Sequence, residues 1–270
     1  MSEEITQAVS VSQAGGVLRV ALNRPEQHNA MNPAIMAGLT DIFSRLPARD
    51  DVRVVVLTGN GRSFCAGADL AFMRAAADYS FDQNMADGQA IFDLMMAVDS
   101  CPQPVIGRVN GAAIGGGAGL VSCCDVVVAV DRATFAFSEA RLGIVPAVIS
   151  PFVLARIGPG PARELFLTGE RFDARRALAI GLVHHVVAEA DLDAVVADRV
   201  AQLLMAAPGA QATIKELIRT VAFRPRENMR DYTAGTIARL RAGEEGREGM
   251  TAFLEKRKPR WQDEADGQTK

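Results

Sequence analysis

Apolar positions recur along this chain in two rhythms. Residues 17–22 and 52–58 are short β-branched runs, which predict buried strands. Between them Ile35, Met36, Leu39, Ile42, Phe43 and Leu46 repeat at helical spacing. Asn32 is placed to cap that helix, Pro33 suits its first turn and Pro47 ends it. The pattern predicts a strand, helix, strand unit. Further strands are expected over residues 104–109, 125–130 and 134–137, with an amphipathic helix over 83–98 ahead of them. From Pro146 the rhythm becomes helical, with helices over 191–206, 209–221 and 226–242 and one more strand over 182–187. These features predict an α/β fold, a core of buried sheet and helices with a mostly helical C-terminal region. The expected division is a core over 1–200, a helical region offering oligomerisation surface over 201–260, and a flexible tail over 261–270.

Composition narrows the classes. The chain has 270 residues, 49% hydrophobic and 23% charged, with a formal net charge of −3. That is enough chain for a sizeable core, and too little positive charge to attract nucleic acid or an anionic membrane. An anionic ligand therefore needs a local cluster. The apolar stretch 104–130 is broken by Arg108, Asn110 and Asp125 and is rich in glycine, which argues against a membrane helix. The N-terminal residues carry no export signal, and Cys65, Cys101, Cys123 and Cys124 have neither CxxC nor zinc-site spacing. A reducing cytoplasm is the expected compartment, with no metal site.

Three segments carry chemistry. Ser63-Phe64-Cys65-Ala66-Gly67-Ala68-Asp69-Leu70 follows a strand, and its small residues let a ligand approach free peptide N–H groups. A plain strand-to-helix turn reads the same way. Residues 110–120 hold a glycine-rich turn that opens a helix, a geometry suited to negative charge. The Rossmann fingerprint fails, because Leu120 stands where the third glycine belongs, and no Walker lysine follows. In the third segment Glu139 lies among apolar neighbours, where burial raises a carboxyl pKa toward proton-transfer use. An ion pair with Arg141 or Arg132 is the alternative for a single glutamate. Cys65 reads as a small buried hydrophobe, and His184 and His185 as structural.

Together these segments resemble the crotonase superfamily, the enoyl-CoA hydratase/isomerase family. The likeness runs from Leu22-Asn23-Arg24-Pro25 with Asn29-Ala30, through FCAGADL and NGAAIGGGAGL, to EGREGMTAFLEKRKPRW. It implies an acyl-CoA thioester whose carbonyl oxygen sits between the backbone N–H groups of Ala68 and Gly116, with Glu139 as the catalytic acid/base. Two such donors stabilise an enolate by roughly 3–4 kcal/mol each. It also implies CoA contacts from Arg24, Ala66, Asp69, Leu70, Phe253 and Lys256, the last two often supplied by a neighbouring subunit. A homotrimer or dimer of trimers is implied, with no cofactor beyond the CoA moiety of the substrate.

Two positions depart from the family pattern. Two-glutamate hydratases carry their other glutamate where Gly119 stands, and Glu26 replaces a lysine that often helps hold the CoA phosphates. The Gly119 variant with Val-Pro-Ala-Val-Ile-Ser-Pro-Phe downstream is similar to bacterial methylglutaconyl-CoA hydratases of leucine breakdown. The leading expectation is an enoyl-CoA hydratase. A double-bond isomerase using the same glutamate, or a catalytically reduced acyl-CoA-binding protein, are the alternatives.

Overall fold

The computed structural model describes residues 7–262. Six strands form the main sheet in the order β1 (Val9–Ala14), β2 (Val17–Leu22), β3 (Val54–Gly59), β4 (Val105–Val109), β6 (Val126–Val130) and β9 (His185–Val187). Only the edge hairpin β1–β2 is antiparallel; every other pair runs parallel. Parallel strands need cover on both faces, which explains why β3 is buried at all six positions. A smaller sheet joins β5 (Ala113–Ile114), β7 (Thr134–Ala136) and β8 (Arg171–Asp173).

Helix α1 (Pro33–Arg45) starts as expected, with Asn32 accepting from the Ile35 N–H. A 3₁₀ turn over Leu46–Ala48 ends it, because Pro47 cannot continue an α-helical ladder. Then follow α2 (Leu70–Ala76), α3 (Phe81–Ser100) and α4 (Gly116–Cys123). Ser80 and Gln83 close a reciprocal capping box on α3. Helix α4 lies almost wholly inside the core, which suits its small and apolar residues.

The C-terminal half is helical: α5 (Ser150–Ile157), α6 (Pro159–Thr168), α7 (Ala174–Ala179), α8 (Leu192–Leu204), α9 (Pro208–Val221), α10 (Arg230–Ala242) and α11 (Glu244–Leu254). Residue 200 falls inside α8, and the chain bends after it at Met205–Ala207. Of the tail expected over 261–270, Trp261 and Gln262 donate side-chain bonds to the Met205 carbonyl. Residues 263–270 lie outside the described residues. No helix among those described is long and apolar enough to cross a membrane.

Because β2, β3, β4 and β6 share a direction, the loops leaving β3 and β4 emerge at one end of the sheet. That end carries the first two chemistry-bearing segments, in keeping with the rule that open parallel sheets present ligands at the strands' carboxyl ends.

Candidate active site

The loop after β3 is held by a short ladder. Met31 donates to the Gly67 carbonyl at 2.7 Å and Asp69 donates to the Met31 carbonyl at 2.9 Å. In such a parallel bridge the residue between the two bonded positions turns its own N–H away from the ladder. That residue is Ala68, and it lines a pocket. The loop after β4 is pinned in the same manner. Cys65 donates to Ala112, Ile114 donates to Cys65, and Gly115 donates to Ala136 at 2.8 Å. Gly115 adopts φ +53°, a region that favours glycine, and this turns the chain so that Gly116 begins α4. The first α4 bond inside this turn is Gly119 N–H to the Gly115 carbonyl, so the Gly116 N–H has no helical acceptor. Ala68 and Gly116 line the same pocket of about 240 Å³. Both residues thus line one space, and the ladder and the helix leave their N–H groups without acceptors.

Glu139 lines that pocket as well and is the only titratable residue among those lining it. It begins a 3₁₀ turn, Glu139–Leu142, just after β7. The ion-pair alternative does not form. Arg132 instead pairs with Glu189, and Arg141 donates to the Thr168 carbonyl. The Glu139 Oε2 is buried without a hydrogen-bond partner. Burial pushes its carboxyl pKa above the ordinary value. A Cβ on Gly115 would sit 3.3 Å from Glu139 Oε1, so glycine there lets the carboxyl lie against the backbone that leads into Gly116.

The remaining walls are apolar, from Met31, Met36, Phe72, Ile91, Val145 and Ile149 among others. Ile149 was not singled out in the sequence, yet it decides what position 119 can hold. A Cβ on Gly119 would come 2.6 Å from Ile149 Cγ2 and 3.1 Å from Met95 Cε. The space beside the missing second carboxylate is therefore filled with hydrocarbon.

Arg24 and Asp69, expected at the CoA site, bond to each other at 2.8 Å. Arg24 Nη1 also donates to the Ala30 carbonyl, while Asp69 Oδ1 caps α2 by accepting from Ala71 and Phe72. Both therefore brace the loop that carries Ala68. The Arg24 guanidinium beside it holds the Asp69 carboxyl below its usual range. Asn29, absent from the expected site residues, makes a further clip. Its Oδ1 accepts from Arg24 N–H, and its Nδ2 donates to the Asn60 and Ser63 carbonyls. Ala66 is half-buried and donates its N–H to His28, and Leu70 is exposed at the start of α2, so both remain at the rim.

Phe253 and Lys256 are not brought to this pocket. Phe253 is 82% exposed, and the segment after it is tied by Trp261, whose carbonyl accepts from Arg53. Arg53 precedes β3, at the end opposite the Ala68 loop and about 20 Å away at roughly 3.3 Å per strand residue. Cys65 is fully buried, and desolvation pushes its thiol up to about 11, which suits a packing role. His184 Nδ1 accepts from the Val127 N–H, also away from the pocket.

Comparison with known proteins places the chain in a family. The profile of the family described as Enoyl-CoA hydratase/isomerase matches residues 12–264. The chain is similar to an enoyl-CoA hydratase from Shewanella pealeana of known crystal structure, with a TM-score of 0.92 and 37% identity over 97% of this chain and 100% of that one. It is 34% identical to the carnitinyl-CoA dehydratase of Escherichia coli O157:H7, over 95% of this chain and 99% of the relative. The crotonyl-CoA hydratase of Syntrophomonas wolfei is 35% identical, over 88% of this chain and 91% of the relative. The chain belongs to the enoyl-CoA hydratase/isomerase family, within the crotonase superfamily.

Proposed function

We propose that this protein is a hydratase adding water to a 2-enoyl-CoA thioester, with Glu139 as its single proton carrier. The observation that carries the reading is the buried Glu139 Oε2, without a hydrogen-bond partner, in an otherwise apolar pocket that the residue shares with Ala68 and Gly116. In the forward direction the thioester oxygen accepts from the Ala68 and Gly116 N–H groups. Glu139, ionised, takes a proton from water as the water oxygen bonds to C3 and the C2–C3 π electrons move to the thioester oxygen. The same carboxyl then returns the proton to C2 as the enolate collapses. The reverse sequence removes water. Methylglutaconyl-CoA is the acyl candidate that the resemblance favours. Among the described residues no cation lines the pocket, so its distal carboxylate would point toward the open mouth near Ile144 and Val145.

One observation favours the isomerase as a second reading: hydrocarbon from Ile149 and Met95 fills the space at Gly119, leaving Glu139 as the sole side chain there able to hold water. Turnover of crotonyl-CoA and methylglutaconyl-CoA in heavy-oxygen water separates the two. Label in a 3-hydroxyacyl product supports hydration; double-bond migration without label supports isomerisation.

A homotrimer or dimer of trimers belongs to the same proposal. Phe253 and Lys256 serve the CoA of a neighbouring copy, since their own segment is tied at the far end of the sheet. Local cations are needed because CoA is multiply anionic and this chain is not basic overall.

A further inference from the structure

The end of the main sheet remote from Glu139 carries a larger cleft, of about 350 Å³, bounded by the C-terminal end of α4, by α5 and by α9. Its charged and titratable lining is Asp99, Asp125, Arg156, His184, Lys215 and Arg219. Two of the cations are matched within it. Lys215 Nζ lies 2.7 Å from Asp125 Oδ2, and Arg219 Nη1 donates to the Asp99 carbonyl with the Asp99 carboxylate at 4.0 Å. Arg156 is not matched. Its Nε and Nη2 donate to the Ser122 and Cys124 backbone carbonyls, and no carboxylate among the described residues lies within ion-pair distance.

The remaining nitrogen, Arg156 Nη1, faces His184 Nε2 at 3.3 Å. That contact is not a hydrogen bond between donor and acceptor. The Val127 N–H donates to His184 Nδ1 at 2.9 Å, so Nδ1 carries no proton and the neutral ring carries it on Nε2. Burial and the Arg156 charge both hold the imidazole pKa down, which keeps the ring neutral. Two N–H donors that line the cleft therefore have no hydrogen-bond acceptor among the described residues, the Asp99 and Asp125 carboxylates there being turned to Arg219 and Lys215. Phe152, Ile218 and Phe223 supply apolar surface beside it.

We propose that this cleft is an anion site, in which an oxygen of a carboxylate or phosphate group accepts from both Arg156 Nη1 and His184 Nε2–H. Three cations against two carboxylates leave the lining with one unmatched positive charge, which suits a monoanionic group. The apolar wall suits a ligand whose anionic group ends a short hydrocarbon chain. The occupant is a free small molecule of that kind, because the donors and the apolar wall together line a cleft of ligand size.

The test titrates inorganic phosphate and hexanoate calorimetrically into the full chain at fixed ionic strength, and measures self-association by sedimentation equilibrium. Arg156→Met and His184→Phe remove the two donors. Ile218→Glu, at an exposed position, places a competing carboxylate at the rim without disturbing the core. For a free ligand, wild type binds one anion per chain saturably, and all three variants bind at least tenfold more weakly. The proposal is overturned if binding persists equally in all three variants, or if the anions fail to bind wild type; weaker self-association of the donor variants without anion binding would assign the cleft to contacts with a second copy instead.

Discussion

Two buried charged groups, one at each end of the main sheet, are handled in opposite ways. At the remote end Lys215, almost fully buried, has its ammonium on Asp125, whose Oδ2 also accepts from the Val105 N–H. In the pocket lined by Ala68 and Gly116, the one ionisable group, Glu139, keeps a buried oxygen with no partner and a raised pKa. A paired buried charge fixes how elements pack. An unpaired one is destabilising where it sits and is available to move a proton. Neither burial nor a missing partner is enough to single out a carboxyl, since Asp87 Oδ2 is also buried without one; what sets Glu139 apart is both together in the pocket shared with Ala68 and Gly116.

Breaking the matched end has the largest expected effect on stability. Lys215→Met leaves the Asp125 carboxylate without its counter-ion, at a cost of about 3 kcal/mol in denaturant unfolding. The Lys215→Met/Asp125→Asn pair should recover part of that loss. If the single variant is as stable as wild type, the pair does not hold α9 against the sheet.

Next comes Gly119→Ala at the reactive end. The added methyl would meet Ile149 at 2.6 Å, an overpacking worth about 1–3 kcal/mol. Adding Ile149→Ala should relieve it, and an undiminished loss in the double variant would show that Ile149 is not the obstacle. This matters for any attempt to restore a second carboxylate: Gly119→Glu should be accepted only with a smaller residue at 149.

A smaller change is expected from Arg24→Met, which removes a brace of the Ala68 loop while leaving Ala68 and Glu139 in place. We expect kcat to fall about tenfold with KM for acyl-CoA within about twofold, as fits an interaction made mainly in the transition state. A rise in KM at unchanged kcat would instead return Arg24 to CoA binding.

Much of this contrast was legible in the sequence. Residues 17–22 form β2 without adjustment, and Asn32, Pro33 and Pro47 bound α1 where expected, because caps and prolines act locally. Edge strand β1 was not foreseen, since its outer residues are exposed and its apolar pattern is weak. Nor was α11, whose segment holds Gly246 and Gly249 and is acidic at its start. Glu139 was legible as a carboxyl among apolar neighbours, but its freedom from Arg132 and Arg141 depends on where those side chains go. The same holds for Ile149. Thirty positions from Gly119, it carries no mark in the sequence of the space it fills. Arg24 and Asp69 were singled out for CoA contact, while the bonds they make to each other and to the Ala30, Ala71 and Phe72 backbone carried no mark in the sequence.

The smallest effect concerns pH. A carboxyl whose folded pKa is raised binds its proton more tightly in the native state, so stability falls as pH rises from the ordinary carboxylate range through the folded pKa. Glu139→Gln should remove that decline. Its Tm should therefore exceed that of wild type at neutral pH, with the two converging at pH values below the ordinary carboxylate range. A variant less stable than wild type at neutral pH would contradict an unpaired Glu139.

The central claim is that one carboxyl carries the proton, and turnover of Glu139→Gln tests it most directly. Glutamine keeps the size and the hydrogen-bonding oxygen but cannot exchange a proton. Activity on crotonyl-CoA or methylglutaconyl-CoA, whichever the wild type turns over, should fall by about 10²–10⁴-fold, the usual worth of a positioned acid or base, while acyl-CoA binding by calorimetry stays within about threefold. Wild-type turnover in the variant would contradict the account.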